Sequence, residues 1–305
     1  MERSILLIKG VFRRMKYKFL VKEIDKVIAI NFIINTHYSK VMPKLTKHYL
    51  GIFLKNKLVG ALTLGWGTQP KGTINKLFTG LETKDYYEIG RMCMLDEMPK
   101  NSESQMLSKV AKWMKKNTPE KLFLFTWADG IVGKAGYVYQ GSNFFYGGYI
   151  WTDVYMSEKC EKIHPRTAKK LCEENAIMLG KDKIYWLTYD FMQIKGIKRI
   201  KGKQFRYILP LNRKAKKLLP NSNFKWTRNY PKNKDLKWKQ MVSKGKYDFI
   251  NEQPKFNLDI VEHSNQNSQQ NTQLSLFNNA EQVSREIHNT TSNEGEGQFF
   301  GSAQK

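Results

Sequence analysis

The chain has 305 residues, with 52 Lys and Arg against 27 Asp and Glu, a formal net charge of +25. Residues 251–305 hold three basic and seven acidic residues, so residues 1–250 carry 49 basic against 20 acidic groups, a net of +29. Cys93, Cys160 and Cys172 are too few and too scattered for a disulfide framework or a structural zinc, no apolar stretch approaches a membrane span, and the basic start lacks the cleavage site of a secretory signal.

What remains is a protein expected in the cytoplasm, with no membrane association. The basic excess predicts a polyanionic partner, double-stranded DNA, because each neutralised phosphate releases condensed counterion. A solvated lysine face is the alternative for the same composition.

In chain order, residues 1–24 read as a basic extension and residues 25–220 as one globular domain, long enough to bury a substantial core. Residues 49–54 and 58–64 are apolar, β-prone runs separated by Lys55-Asn56-Lys57, which predicts a hairpin. Residues 86–95 predict a third strand. In PKNSESQMLSKVAKWMKKN, Met106, Leu107, Val110, Trp113 and Met114 share one helical face, and Asn101 or Ser102 can cap the start. That predicts a helix of about four turns. Residues 122–128 return as a buried strand, a glycine- and aromatic-rich segment follows, and residues 149–154 predict another strand.

Residues 165–179 are helical by pattern, 184–188 and 206–209 read as extended, and 213–219 as a short basic helix. Residues 221–250 form a basic extension rich in Trp and Lys where periodicity fades. Residues 251–305, with SNQNSQQNTQ and similar runs, are too polar to offset the entropy of ordering and read as a disordered tail.

The segment Trp127 to Gly147, WADGIVGKAGYVYQGSNFFYG, marks a site. Glycine permits close backbone approach, ring faces stack on planar groups, and Asp129 falls at the end of the strand that feeds it. Serines at the start of the 102 helix suit an anionic cofactor group, although a capping box of Ser102 with Gln105 explains them equally. Arg91, in the apolar strand EIGRMCML, needs a partner or a ligand. Glu88 is three residues away and points to the other face unless a bulge at Gly90 intervenes. His37 and Tyr38 precede the hairpin. With Asp129 they are of a type to move protons or to hold a divalent metal, although a lone histidine is more often structural.

The blocks HYS (37–39), GIFLKNKLVGALTLG (51–65), EIGRMCMLDEMPKNSES (88–104) and FTWADGIVGKAGYVYQGSNF (125–144) together resemble the phage Mom family. These are adenine-modifying enzymes that convert adenine in phage DNA to a carbamoylmethylated form and so evade host restriction. The resemblance covers about residues 35–219. It implies an α/β (α+β) fold like that of the Gcn5-related N-acetyltransferases (GNAT-like), a mixed and mostly antiparallel central sheet flanked by helices. It also implies acetyl-coenzyme A or a related acyl donor facing Arg91, Ser104 and Tyr139. His37, Tyr38 and Asp129 would lie nearer the chemistry, with His37 and Asp129 as ligands if iron is bound.

Two departures bear on this transfer: Gly133-Lys134 stands where the family commonly has Gly-His, and the acetyl-coenzyme A fingerprint Arg/Gln-x-x-Gly-x-Gly/Ala is absent. In the resulting scheme Asp129 takes the proton of the adenine amine, and an extruded base stacks on Tyr139, Phe144 or Phe145. Two other readings stay open: an N-acyltransferase acting on a protein or small amine, and a DNA-binding protein without catalysis. Within the tail, Gln273-Leu274-Ser275-Leu276-Phe277 matches the consensus for binding the bacterial sliding clamp, which adds the clamp as an expected partner.

Overall fold

The structure, a computed structural model, describes residues 18–165 and 168–257. The clamp-type pentapeptide at 273–277 lies outside them. Two elements come first, β1 (Leu20–Glu23) and α1 (Lys26–Thr36). Helix α1 is capped by Asp25, whose side chain accepts from Val27 N. It buries only Ala29 and Ile33, while Val27, Ile28 and Ile34 stay exposed. A helix apolar on several sides shows no stripe, and the sequence did not announce it.

The predicted hairpin is present as β2 (Leu45–Leu54) and β3 (Lys57–Trp66), with Lys55 and Asn56 both at positive φ (47° and 66°), the conformation that matches the twist of paired strands. Next come α2 (Pro70–Leu77), β4 (Tyr86–Met94), α3 (Ser102–Asn117) and β5 (Phe123–Asp129). The predicted stripe of α3 is buried at Met106, Leu107, Val110 and Met114; full burial of such side chains contributes about 1.5–3 kcal/mol each. The short α4 (Tyr137–Gly141) leads to β6 (Phe145–Met156) and β7 (Lys162–Ile163). Helices α5 (Lys169–Met178) and α6 (Tyr189–Ile194) precede β8 (Lys198–Pro210), α7 (Arg213–Leu218), β9 (Trp238–Ser243) and β10 (Lys246–Ile250).

The strands form one sheet in the order β1-β2-β3-β4-β5-β8-β6-β7, with β9 joined to β8 and β10 to β9. Only β4 and β5 pair in parallel; the other pairings among the described strands are antiparallel. This mixed, largely antiparallel sheet flanked by helices is the architecture the sequence implied. No helix among the described residues is long and apolar enough to cross a membrane.

Three expectations change. Residues 184–188 form no strand: Leu187 N donates to Tyr155 Oη and Thr188 N to Asn175 Oδ1, so side chains rather than a neighbouring strand satisfy this backbone. The 221–250 region contributes β9 and β10 to the sheet, and β1 falls inside the segment read as an N-terminal extension.

One irregularity positions the site. Strands β4 and β5 pair only over Tyr86–Glu88 with Phe123–Phe125. Beyond that, Gly90 and Arg91 together oppose Thr63 of β3, an added residue that bulges β4. A Cβ at Gly90 would meet Pro43 Cγ at 2.6 Å and Thr63 Oγ1 at 2.8 Å, so the bulge requires glycine there. The carboxyl ends of the one parallel pair are thus left unjoined, the kind of place where open α/β sheets bind ligands.

Candidate functional site

Arg91 projects from the bulge and ties the loop after α1 to the sheet. Its Nη1 donates to Gly90 O (2.8 Å), and its Nη2 donates to Ser39 Oγ (3.2 Å) and Val41 O (2.5 Å). Arg91 N donates to Thr63 Oγ1. The Nε–H is buried with no hydrogen-bond partner among the described residues. No ion pair joins Arg91 to Glu88 despite the bulge: Glu88 turns to the Gly67 backbone N–H, and burial pushes its carboxyl up to about 7.

His37 ends α1, with its N–H bonded to Ile33 O. His37 Nδ1 lies within hydrogen-bond distance of both Ser39 N (2.9 Å) and Ser39 O (3.1 Å), accepting from the first or donating to the second according to the tautomer. Burial, then the charge of Arg91 and that of Lys134, lower its pKa to about 4, against a raising effect from the Ser39 backbone. At neutral pH His37 is therefore uncharged. Tyr38 stacks on His37 with ring centroids 4.3 Å apart. Burial first, then Asp129 and Tyr139, raise the Tyr38 hydroxyl well above its ordinary range, so it too remains protonated.

Asp129 closes β5. Its Oδ1 accepts from Ile131 N (3.1 Å), capping the 3-10 turn Gly130–Val132, and its Oδ2 accepts from Lys162 Nζ of β7 (2.5 Å). Trp238 of β9 pins the same turn, donating Nε1 to the carbonyls of Gly130 and Ile131. Gly136 enters α4 at φ 86°, where a Cβ would meet the Tyr207 ring at 2.5 Å. Lys134 N donates to Asp129 O, and Lys134 Nζ lies 5.9 Å from the Tyr38 ring. The position where the family commonly has a second histidine therefore borders Tyr38.

His37, Tyr38, Arg91 and Asp129 are thus brought into one electrostatic neighbourhood, with Lys134 beside them. Tyr139 borders it, acting on the Tyr38 hydroxyl: its ring is buried among Phe144 and Tyr207, and its oxygen accepts from Thr126 Oγ1 at 3.3 Å. Ser104 Oγ donates to Val138 O and Ser142 Oγ to Ser104 O, bonds that fasten α4 to α3. The expected capping box is not formed: Asn101 is the cap residue, and Ser102 Oγ donates to Pro99 O. Base stacking on Phe144 or Tyr139 is also ruled out, since these rings are 0% and 9% exposed inside the core. Phe145 is half-buried beneath the Arg228 guanidinium, Tyr137 is exposed, and Tyr38 is 38% exposed although its hydroxyl is shielded from solvent.

The iron expectation does not fit this donor set. Among the described residues no group of three His, Cys, Asp or Glu gathers.

Two contributors escaped the sequence. Lys162 is one of 52 cationic residues, and only the fold-back of β7 gives it meaning. Trp238 lies in the stretch where periodicity fades. Lys134 did carry a signal, as the departure from the Gly-His pattern.

The sequence model of the Mom protein family matches residues 18–232. The chain is 30% identical over 213 residues, 70% of its length and 83% of the relative's, to the protein named methylcarbamoylase mom from Escherichia phage Mu. Among solved structures, it is similar to an aminoglycoside N(6′)-acetyltransferase from Legionella pneumophila (9% identity, TM-score 0.35, 67% of this chain and 98% of that one). An N-acetyltransferase from Staphylococcus aureus Mu50 also matches (13% identity, TM-score 0.33, 64% and 99%).

Proposed function

The chain belongs to the Mom protein family, and from that premise we propose that it is a transferase that converts adenine in double-stranded DNA to N6-carbamoylmethyladenine and so protects that DNA from restriction. The observation that carries the reading is the gathering of a neutral His37, a protonated Tyr38 and the Asp129 carboxylate where β4 and β5 part. The net +29 of residues 1–250 supplies the attraction to phosphate.

The exocyclic amine of adenine is a weak nucleophile, because its lone pair is delocalised into the ring. In the transfer, a new bond joins N6 to the methylene carbon of the carbamoylmethyl group, one N6 proton departs, and the bond from that carbon to its carrier breaks. Asp129 is the acceptor of this cluster and takes the proton. The ring N–H of neutral His37 and the Tyr38 Oη–H are the donors of the cluster, suited to the carbonyl oxygen of the incoming group. Arg91, through its unpartnered Nε–H, would hold an oxygen of an acyl-coenzyme A type donor. An acyl thioester would supply an activated carbonyl carbon and give an N6-acyl adenine with loss of the thiol; the carbamoylmethyl product requires a donor whose leaving group is bonded to the methylene carbon.

The test is mass spectrometry of nucleosides from plasmid DNA co-expressed with the protein. A deoxyadenosine species heavier by one carbamoylmethyl group, absent with Asp129→Ala, is expected. Unmodified DNA beside soluble wild-type protein overturns the reading and favours another amine as acceptor.

A further inference from the structure

The sheet carries a second cluster that the chemistry above does not use. In the register of β6, β8, β9 and β10, Trp151 lies opposite Lys203, and Asp153, Lys201, Lys239 and Phe249 line up across the four strands. Residues paired in this way share a face. Tyr149, two residues before Trp151, falls on it too. The rings are unburied: Tyr149 is 44%, Trp151 36% and Phe249 62% exposed.

Each ring has an ammonium group against it. Lys239 Nζ lies 4.9 Å from the Trp151 ring and 4.4 Å from that of Phe249, and Lys203 Nζ lies 4.4 Å from Tyr149. Lys201 rests likewise on Tyr247 at 3.9 Å. The carboxylate on this face, Asp153, is neutralised by Arg199. Centroids run Tyr149 to Trp151 at 6.2 Å and Trp151 to Phe249 at 6.4 Å. That is nearly twice the ~3.4 Å step of stacked bases, and so it suits a strand whose bases have been drawn apart.

We propose that this face is a platform for an unpaired DNA strand, with bases on Tyr149, Trp151 and Phe249 and phosphates on Lys201, Lys203 and Lys239. The inference rests on the DNA-modifying reading and deepens it, since an adenine drawn out of a duplex leaves a locally opened strand. Alternating rings and lysines are what binds single strands without sequence preference. The platform also connects to the candidate site: beyond β10, Gln253 packs on Gly133, and the Phe256 ring lies 5.9 Å from Lys162 Nζ.

The test is fluorescence anisotropy of the full-length chain with labelled dT16 and with a duplex of equal length at one fixed salt concentration. Trp151→Ala and Phe249→Ala each weaken dT16 binding about tenfold, the double variant about a hundredfold, and duplex affinity changes less than about twofold. Trp151→Phe keeps a stacking ring and retains most of the affinity, which guards against a folding artefact. Double-variant binding to dT16 within twofold of wild type overturns the platform, as does equal loss for single strand and duplex. Wild-type binding to dT16 through these rings, with plasmid adenine left unmodified, overturns the proposed reaction and leaves the platform standing.

Discussion

Lys162→Met and Asp129→Asn, made singly and together, measure what fixes the end of β5. The two charges are 2.5 Å apart on side chains 21% and 18% exposed. That lies between the exposed regime, where a pair couples by about 0–1 kcal/mol, and the buried one, where removing a partner costs about 3–5 kcal/mol. A coupling of about 1–3 kcal/mol is expected. Asparagine caps a helix start as well as aspartate does, so Asp129→Asn keeps the acceptor for Ile131 N and removes the ion pair alone. Methionine at 162 stays within reach of the Phe256 ring. Urea denaturation of the four proteins gives the coupling, and a value below about 0.5 kcal/mol, the additivity of independent sites, refutes the pairing as a structural restraint. The same proteins separate structure from chemistry in the plasmid assay. Lys162→Met keeps the carboxylate and continues to modify DNA, whereas Asp129→Asn does not; equal loss in both refutes Asp129 as proton acceptor.

Two buried groups pull the pH dependence of stability in opposite directions. His37 falls from 6.5 to about 4, so its contribution is present above pH 6.5 and is lost as pH falls toward 4; Glu88 rises from 4.5 to about 7, so its contribution is present below pH 4.5 and is lost as pH rises toward 7. Each is on the order of 3 kcal/mol, and in the wild type they offset each other between about pH 4.5 and 6.5. Denaturation across this window should show stability falling with pH in His37→Asn and rising with pH in Glu88→Gln, and curves parallel to wild type contradict the assignment. Tyr139→Ala removes a buried ring and costs about 3–5 kcal/mol, while Tyr139→Phe gives up one 3.3 Å hydrogen bond and about 0.5–1 kcal/mol; a fully folded but inactive Tyr139→Phe, measured by thermal melting beside the plasmid assay, shows that the hydroxyl acts in the reaction and not in packing alone. If residues 273–277 bind the sliding clamp as their sequence suggests, replacing Leu276 and Phe277 by alanine is expected to lower modification in cells with activity on purified DNA unchanged; undiminished modification in cells removes the clamp from the picture.

The local elements were legible where the period was clean. The α3 stripe and the Lys55-Asn56 hairpin announce themselves, because one buries a 3.6-residue repeat and the other needs two positive-φ residues in a row. Helix α1 had no stripe to read. Strands β9 and β10 read as extension because their buried residue, Trp238, is supported by a turn more than a hundred positions earlier. Among the site residues, His37, Tyr38, Arg91 and Asp129 could be named from motif blocks, but their meeting depends on the bulge at Gly90. Nothing local in sequence distinguishes a bulge-forming glycine from one that merely crowds.

That bulge also explains why Arg91 did not pair with the nearest carboxylate. Placing an extra residue opposite Thr63 rotates Arg91 toward residues 39–41 and leaves Glu88 beside Gly67. A guanidinium salt-bridged to Glu88 would have had its charge cancelled. Bonded instead to a hydroxyl and two carbonyls, it keeps its full charge next to His37 and helps to hold that ring neutral. Two of these contacts, to Ser39 Oγ and Val41 O, anchor the loop that carries Tyr38. A single irregularity in β4 therefore sets the position of the donors and adds to the burial that keeps His37 neutral, while Asp129, whose oxygens are held by Ile131 and Lys162, supplies the acceptor. The donors, on the loop after α1 that Arg91 ties to β4, and the acceptor, at the end of β5, therefore meet where β4 and β5 part.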